Sequence, residues 1–268
     1  MKPTVYMEEM DAFTYREKLK RDAVVFVPVG ALEQHGSHMA MCGDAALTKA
    51  MAGATAQALT DSDEDALEGI VAAPINYGYR SQQRSGGGFH LSGTTSLRGS
   101  TLIALARDIV FSLVRQGARK IVLMNGHYEN YQFVFEGAQL ALEDARKEGA
   151  GDARIQLLSY WDFVDDATIA KLYPDGFTGW DLEHAGVMET SLMLLFYPDL
   201  VDMDKVDDPL YEGLPAELPN YDVLPIVADY TPPSGCLSSP AASSRDKGVV
   251  LRDVAVRNMV DAIRAEFA

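Results

Sequence analysis

A chain of 268 residues with 47% hydrophobic side chains is long enough for one α/β domain with a large core. Its net charge of −16 argues against a nucleic-acid or anionic-membrane surface, since either needs basic patches. No segment approaches the roughly 20 apolar residues of a membrane span, the opening residues lack the apolar stretch of a signal peptide, and two cysteines, Cys42 and Cys236, cannot build a disulfide framework, so a reduced cytoplasmic setting is expected.

Short apolar runs alternate with longer helical ones, the pattern of βαβ units around a parallel sheet. In chain order it predicts a helix over 14–22, a strand over 23–29, a helix over 45–59 and a strand over 70–75. A helix over 100–116, a strand over 120–125, a helix over 130–147 and a strand over 154–160 follow, then helices over 185–196 and 247–266. The acidic run 61–65 reads as a solvated loop. In the 100–116 helix, Ser100 and Thr101 are candidate caps, Leu102, Ile103, Ala106, Ile109, Val110, Leu113 and Val114 form one apolar stripe, and Gly117 closes it. In the last helix Leu251, Ala255, Met259 and Ile263 recur every fourth residue. The proline-rich stretch 203–240 reads as an ordered arm over the surface or against a neighbouring subunit.

Two triplets carry the chemistry, Glu33-Gln34-His35 after the first predicted strand and His127-Tyr128-Glu129 after the third. Each sets a carboxylate and an imidazole two residues apart, on the same side of an extended chain. Gly30, Gly36 and Gly126 flank them and allow the backbone to turn as it leaves a sheet. If the two strands are parallel neighbours, the four side chains meet at the strands' carboxyl ends, where open α/β sheets bind ligands. Asp44 is either a fifth ligand or the N-cap of the next helix. Oxygen and nitrogen donors without thiolate suit Zn or Mn. Three carboxylates facing two divalent ions leave one positive charge, which a bridging hydroxide would neutralise. Cys42 reads as a small packing residue.

A second constellation spans 159–190. Trp161 and Trp180 are either core residues or walls over a flat ligand, where aromatic faces suit a delocalised cationic group. Asp181, Glu183, His184 and Glu189 are too many charges for a short apolar turn unless they face a site. His184 is the candidate for proton transfer near neutral pH. A third cluster runs from Ser81 to His90, where Gly86, Gly87 and Gly88 leave backbone N–H groups unshielded for an anion or a carbonyl oxygen. Neither a P-loop nor a dinucleotide fingerprint is present.

The segments Val29 to Gly36, Ser81 to Leu97 (SQQRSGGGFHLSGTTSL), Leu123 to Asn130, Ser159 to Phe163 and Gly179 to Leu194 (GWDLEHAGVMETSLML) together resemble the creatininase (creatinine amidohydrolase) family over nearly the whole chain. The resemblance implies one domain over 1–268, a three-layer α/β/α fold around a mainly parallel sheet, two Zn or Mn ions per subunit and a homohexamer of the trimer-of-dimers type. It implies that Glu33 and His127 hold one metal, His35 and Glu129 the other, and that Asp44 bridges. His184, Glu183 and Glu129 would be the catalytic groups, with Ser85, Tyr128, Trp161, Trp180 and Asp181 around the substrate. The implied reaction is the reversible hydrolysis of a small cyclic amide, creatinine to creatine, by a metal-bridging hydroxide with His184 in proton transfer. A relative acting on another lactam, formamide or ring ketone is the alternative, and a mononuclear non-haem iron enzyme a remoter one. Ser37, Cys42-Gly43 and Phe89 depart from the family pattern and bear on substrate choice.

Overall fold

The computed structural model describes residues 4–62, 67–82, 88–174, 176–206 and 220–267. Four parallel strands form one sheet in the order β2-β1-β3-β4: β1 (Val24–Val29), β2 (Gly69–Val71), β3 (Lys120–Asn125) and β4 (Arg154–Ser159). Every residue of β1 is buried, because both faces of the sheet are covered. Alternation then sorts the side chains. Val24, Phe26, Val122 and Met124 pack into one core, and Val25, Val27, Val29, Ile121 and Leu123 into the other. The first core is closed by α2 (Gly43–Thr60), α5 (Asp166–Leu172), α6 (Val187–Phe196) and α7 (Arg245–Phe267). The second is closed by α1 (Ala12–Lys20), α3 (Gly99–Arg115) and α4 (Tyr131–Lys147). This is the expected α/β/α sandwich.

The long predicted helices appear within a few residues of their expected ends, and Leu251, Ala255, Met259 and Ile263 are all buried along α7. Three expectations need correction. Ser100 and Thr101 do not cap α3; the cap position is Arg98, in extended backbone, and its side chain makes no capping bond. Gly117 does close that helix, at φ +106, as a left-handed C-terminal glycine. The strand over 70–75 stops at Val71, because Pro74 offers no N–H to a ladder, and pairing resumes only as an isolated bridge from Ile75 to Val29. The seven-residue α5 was absent from the sequence pattern, being too short to show a period. Its cap, Asp165, accepts from Thr168 N at 2.8 Å. The described parts of the 203–240 arm are mostly irregular, and the segment around Ser234 packs on the chain itself, where Gly36 N donates to Ser234 O at 3.0 Å. Of the acidic run, Asp63, Glu64 and Asp65 lie outside the described residues, as does 207–219 of the arm.

Glu68 fastens α1 to the start of β2, accepting from Lys18 Nζ at 2.9 Å and from Arg21 Nε at 2.6 Å. Arg21 and, against partial burial, Lys18 hold its carboxyl down at about 2. A folded pKa below the unfolded one gives stability that is full above the ordinary glutamate range and fades as pH falls toward about 2. Glu68→Gln is expected to cost on the order of 1 kcal/mol at neutral pH. Urea midpoints of the two proteins should converge across that acid window; a gap independent of pH would remove the ion pair as its cause.

Candidate metal centre

The last register pair between β1 and β3 is Val29 with Asn125, so the two triplets leave the sheet side by side at its carboxyl edge. The first turn of α2 docks directly onto these strand ends. A Cβ on Gly30 would lie 2.4 Å from Ala45 Cα, and one on Gly126 would lie 1.6 Å from Thr48 Oγ1. These two glycines therefore serve close approach of a helix. Of the three flanking glycines only Gly36 has a positive φ, at +70.

That docking brings in Asp44. Cys42 occupies the cap position of α2, so Asp44 is not the N-cap but a buried residue of the first turn. Its Oδ1 lies 2.9 Å from His35 Nε2 and its Oδ2 3.1 Å from His127 Nδ1. Glu33 Oε1 stands 3.2 Å from the same His127 nitrogen. Glu189, from the first turn of α6, places Oε2 3.6 Å from His35 Nε2. Among the described residues three groups of donor atoms result: Glu33 and His35 with His184, and two that share Asp44, namely Glu33 with Asp44 and His127, and His35 with Asp44 and Glu189. One carboxylate serves both.

Glu129 is placed differently from its implied pairing with His35. Its Oε2 lies 3.2 Å from His127 Nε2, across the ring from Glu33 and Asp44, and its Oε1 accepts from Gln82 N at 3.0 Å. The chain enters a 3₁₀ turn over Tyr128–Asn130, so the same-side rule for extended backbone does not apply to it. Glu189 stands where Glu129 was expected. The sequence marked Glu189 only as a charge facing a site.

Backbone carbonyls fix the ring protons of three imidazoles, and two of them, His35 and His127, face Asp44 as ligands would. His35 Nδ1 lies 3.0 Å from Glu33 O, His127 Nε2 lies 2.9 Å from Tyr79 O, and His184 Nε2 lies 2.8 Å from Gln34 O. A carbonyl only accepts, so these contacts assign the ring proton to those nitrogens. The opposite nitrogens are left with lone pairs, each facing a carboxylate oxygen. Lone pair against lone pair is repulsive unless a cation lies between. Protons are one answer: although burial opposes charge, Asp44, Glu189 and Glu33 push His35 up to about 10, and Glu33 and Glu129 raise His127 well above its ordinary value. Burial lifts Glu189 to about 8, whereas the two imidazoles, against burial, hold Asp44 far below the usual carboxylate range. Divalent ions are the better answer, because Glu33 Oε1 and Asp44 Oδ2 are buried without a hydrogen-bond donor among the described residues, and a single ring nitrogen cannot serve both. The residues fit two such ions.

Supporting contacts fix the donors. Ser81 Oγ donates to Glu33 Oε2, so the segment Tyr79–Gln82 touches Glu33, His127 and Glu129 together. The glycines single out Ser81 to His90, but the contribution comes from Ser81 and Gln82 at the start of that stretch and from Tyr79 just before it. Ser85 lies outside the described residues. Cys42 is not among the donors.

A pocket opens over the centre, with Trp161, Trp180 and Tyr128 among its walls. Trp161 is buried and Trp180 half-buried, and both also pack against the core, so wall and core readings hold together. Tyr128 is half-exposed at the mouth. Asp181 lines only a wider outer cavity that shares Tyr128, Glu129, Trp161 and Trp180. Glu183 is buried with both oxygens engaged: Oε1 accepts from Tyr173 OH at 2.8 Å and Met188 N at 2.5 Å, and Oε2 from Ser238 Oγ at 3.3 Å. It anchors the start of α6, next to the residue that faces the pocket, His184. Burial and the charge on His35 hold His184 below its ordinary value, and its ring stacks on His35 at 4.3 Å. Ala185, which follows, takes a left-handed φ of +55, rare for a residue with a Cβ, and donates its N–H to Glu189 Oε2 at 2.7 Å. Ser37 bonds Lys205 O at 3.1 Å, and Arg80 lies 5.3 Å from the exposed ring of Phe89. Neither Ser37, Cys42 nor Phe89 lines the inner pocket.

Comparison with known proteins places this geometry in context. Residues 8–263 match the creatininase family, described as creatinine amidohydrolase. A creatinine amidohydrolase of Pseudomonas putida is 48% identical over 269 aligned residues, covering 100% of this chain and 99% of that one. Solved creatininases in Mn and Zn-Zn forms superpose with a TM-score of 0.90 at 48% identity, covering 99% of both chains. A creatininase variant complexed with creatine matches equally well, with a TM-score of 0.90, 48% identity and 99% coverage of both chains.

Proposed function

The chain belongs to the creatininase family, and on that premise we propose that it hydrolyses creatinine to creatine, reversibly, at a centre of two divalent ions, Zn or Mn. The observation that carries this reading is Asp44, with one oxygen toward each of two imidazoles whose other nitrogens are committed to backbone carbonyls. Glu33, Asp44 and His127 would hold one ion, and His35, Asp44 and Glu189 the other. Two ions bound there supply Lewis acidity and lower the pKa of a water they hold.

The chain's own residues do the rest. His184 is neutral at neutral pH, with Nε2–H given to Gln34 O, so Nδ1 is free to accept a proton and pass it to the departing ring nitrogen. Trp161 and Trp180 offer flat faces to a planar guanidine-like ring and keep bulk water out. Tyr128, half-exposed, gates the mouth, and Asp181 belongs to the approach rather than the inner wall. Glu183 holds α6 in place, and Glu129 borders the pocket beside His127. Ser85 keeps a substrate-binding role on resemblance alone. A single iron with one facial set of ligands fits less well, since the imidazoles serve two different carboxylate groups.

The same reading takes 1–268 as one domain and the assembly as a homohexamer, with part of the 203–240 arm at a subunit contact. A cytoplasmic setting agrees with two cysteines, too few for a disulfide framework; among the described residues no helix is long and apolar enough to cross a membrane. Purified chain supplied with Mn should convert creatinine to creatine and creatine back to creatinine. A panel of other lactams, formamides and ring ketones supplies the competing outcome: turnover of one of these, with creatinine left untouched, would move the chain to another activity within the family.

A further inference from the structure

Gln34 sits between the two proposed ligands Glu33 and His35, and no role attaches to it so far. We propose that Gln34 is a positioning residue for proton transfer: its backbone carbonyl, held by a strap over 233–237 and by Thr94, fixes the tautomer and orientation of His184. The inference rests on the reading of His184 given above.

The contacts converge from both sides. His184 Nε2–H donates to Gln34 O at 2.8 Å. The same residue is tied down by its own N–H, which donates to Thr94 Oγ1 at 3.0 Å, and by its side-chain Nε2, which donates to Pro233 O at 2.6 Å. Gly36 N adds a bond to Ser234 O at 3.0 Å. The strap then crosses to the other partner, where Leu237 N donates to His184 O at 3.3 Å. At its centre Gly235 takes φ +77, and a Cβ there would lie 3.1 Å from Gln34 O. One short segment therefore touches both ends of the hydrogen bond.

The consequence follows from imidazole chemistry. A ring whose Nε2–H is committed to a carbonyl presents a bare Nδ1, 3.5 Å from Glu33 Oε1, on the pocket side. If the carbonyl drifts, the ring is free to rotate or change tautomer, and the nitrogen facing the pocket no longer accepts. Misplacements of about 1 Å in such a group cost up to about a hundredfold in rate.

The test uses Gln34→Ala and Thr94→Val, singly and together, in the full chain with metals bound. Each should retain two metals per chain and a KM near that of the unchanged protein. kcat should fall, by about tenfold or more in the double variant, and Thr94→Ser should restore it. In a His184→Ala background the same changes should cost nothing further, because the group they position is gone. Nitrogen NMR of the Zn-loaded protein should show the His184 proton on Nε2, and a mixed tautomer in the double variant. Equal losses with and without His184, or an unchanged tautomer, would overturn the proposal. The NMR arm does not depend on turnover, so it decides the proposal even if creatinine proves not to be the substrate. Thr94→Val alone serves if the double variant does not fold.

Discussion

Asp44→Asn is expected to strip metal from both halves of the centre and to abolish turnover while leaving the fold intact. Asparagine keeps the shape of the side chain and caps helices as well as aspartate does, so a purely structural role at the start of α2 would survive the change. A neutral amide cannot bridge two cations. Losing a residue that merely supports a ligand costs about 10–100-fold in metal affinity, and loss of a ligand shared by two ions should exceed that. Metal content after dialysis and a thermal melt check the prediction together. A variant that melts normally and still carries two metals would return Asp44 to the role of a helix-terminus carboxylate.

His184→Ala should behave in the opposite way, retaining both metals and losing about 10²–10⁴-fold in turnover, the usual worth of general acid–base catalysis. The contrast matters because His184 Nδ1 falls within ligand range of Glu33 and His35, forming a third possible donor group. Burial holds His184 below its ordinary value, and its ring lines the pocket, the place of a group that exchanges protons with substrate. Metal analysis alongside steady-state kinetics separates the roles. Loss of one equivalent of metal would make His184 a ligand and leave proton transfer to another group.

Local spacing was legible and long-range placement was not. The strands bearing the two triplets could be read from unbroken apolar runs, and their parallel adjacency from the βαβ rhythm, so the meeting of Glu33, His35 and His127 at the sheet edge follows from short-range pattern. Asp44 could be read only as an alternative, since the same residue at a helix start caps as readily as it ligates. What decides between them is the docking of α2 onto Gly30 and Gly126, a tertiary contact. Glu189 was out of reach for the same reason. It arrives from α6, far along the chain, while Glu129, expected opposite His35, is set beside His127 instead by a 3₁₀ turn. The glycines Gly86–Gly88 single out the stretch from Ser81 to His90, yet what reaches the centre is Ser81, the Gln82 N–H and the carbonyl of Tyr79, which lies before that stretch. Caps were misread where serine and threonine stood inside a helix rather than before it, and Pro74 cut a strand that hydrophobicity alone extended.

This buried set of carboxylates and imidazoles works only as a holder of two divalent ions. Removing metal with a chelator, titrating Mn or Zn back into the stripped chain and following the opening of creatinine at each addition decides the matter. The stripped protein should show no turnover, and recovery should saturate at two equivalents per chain. Ring opening that persists in metal-free protein, or that saturates at one equivalent, would contradict it.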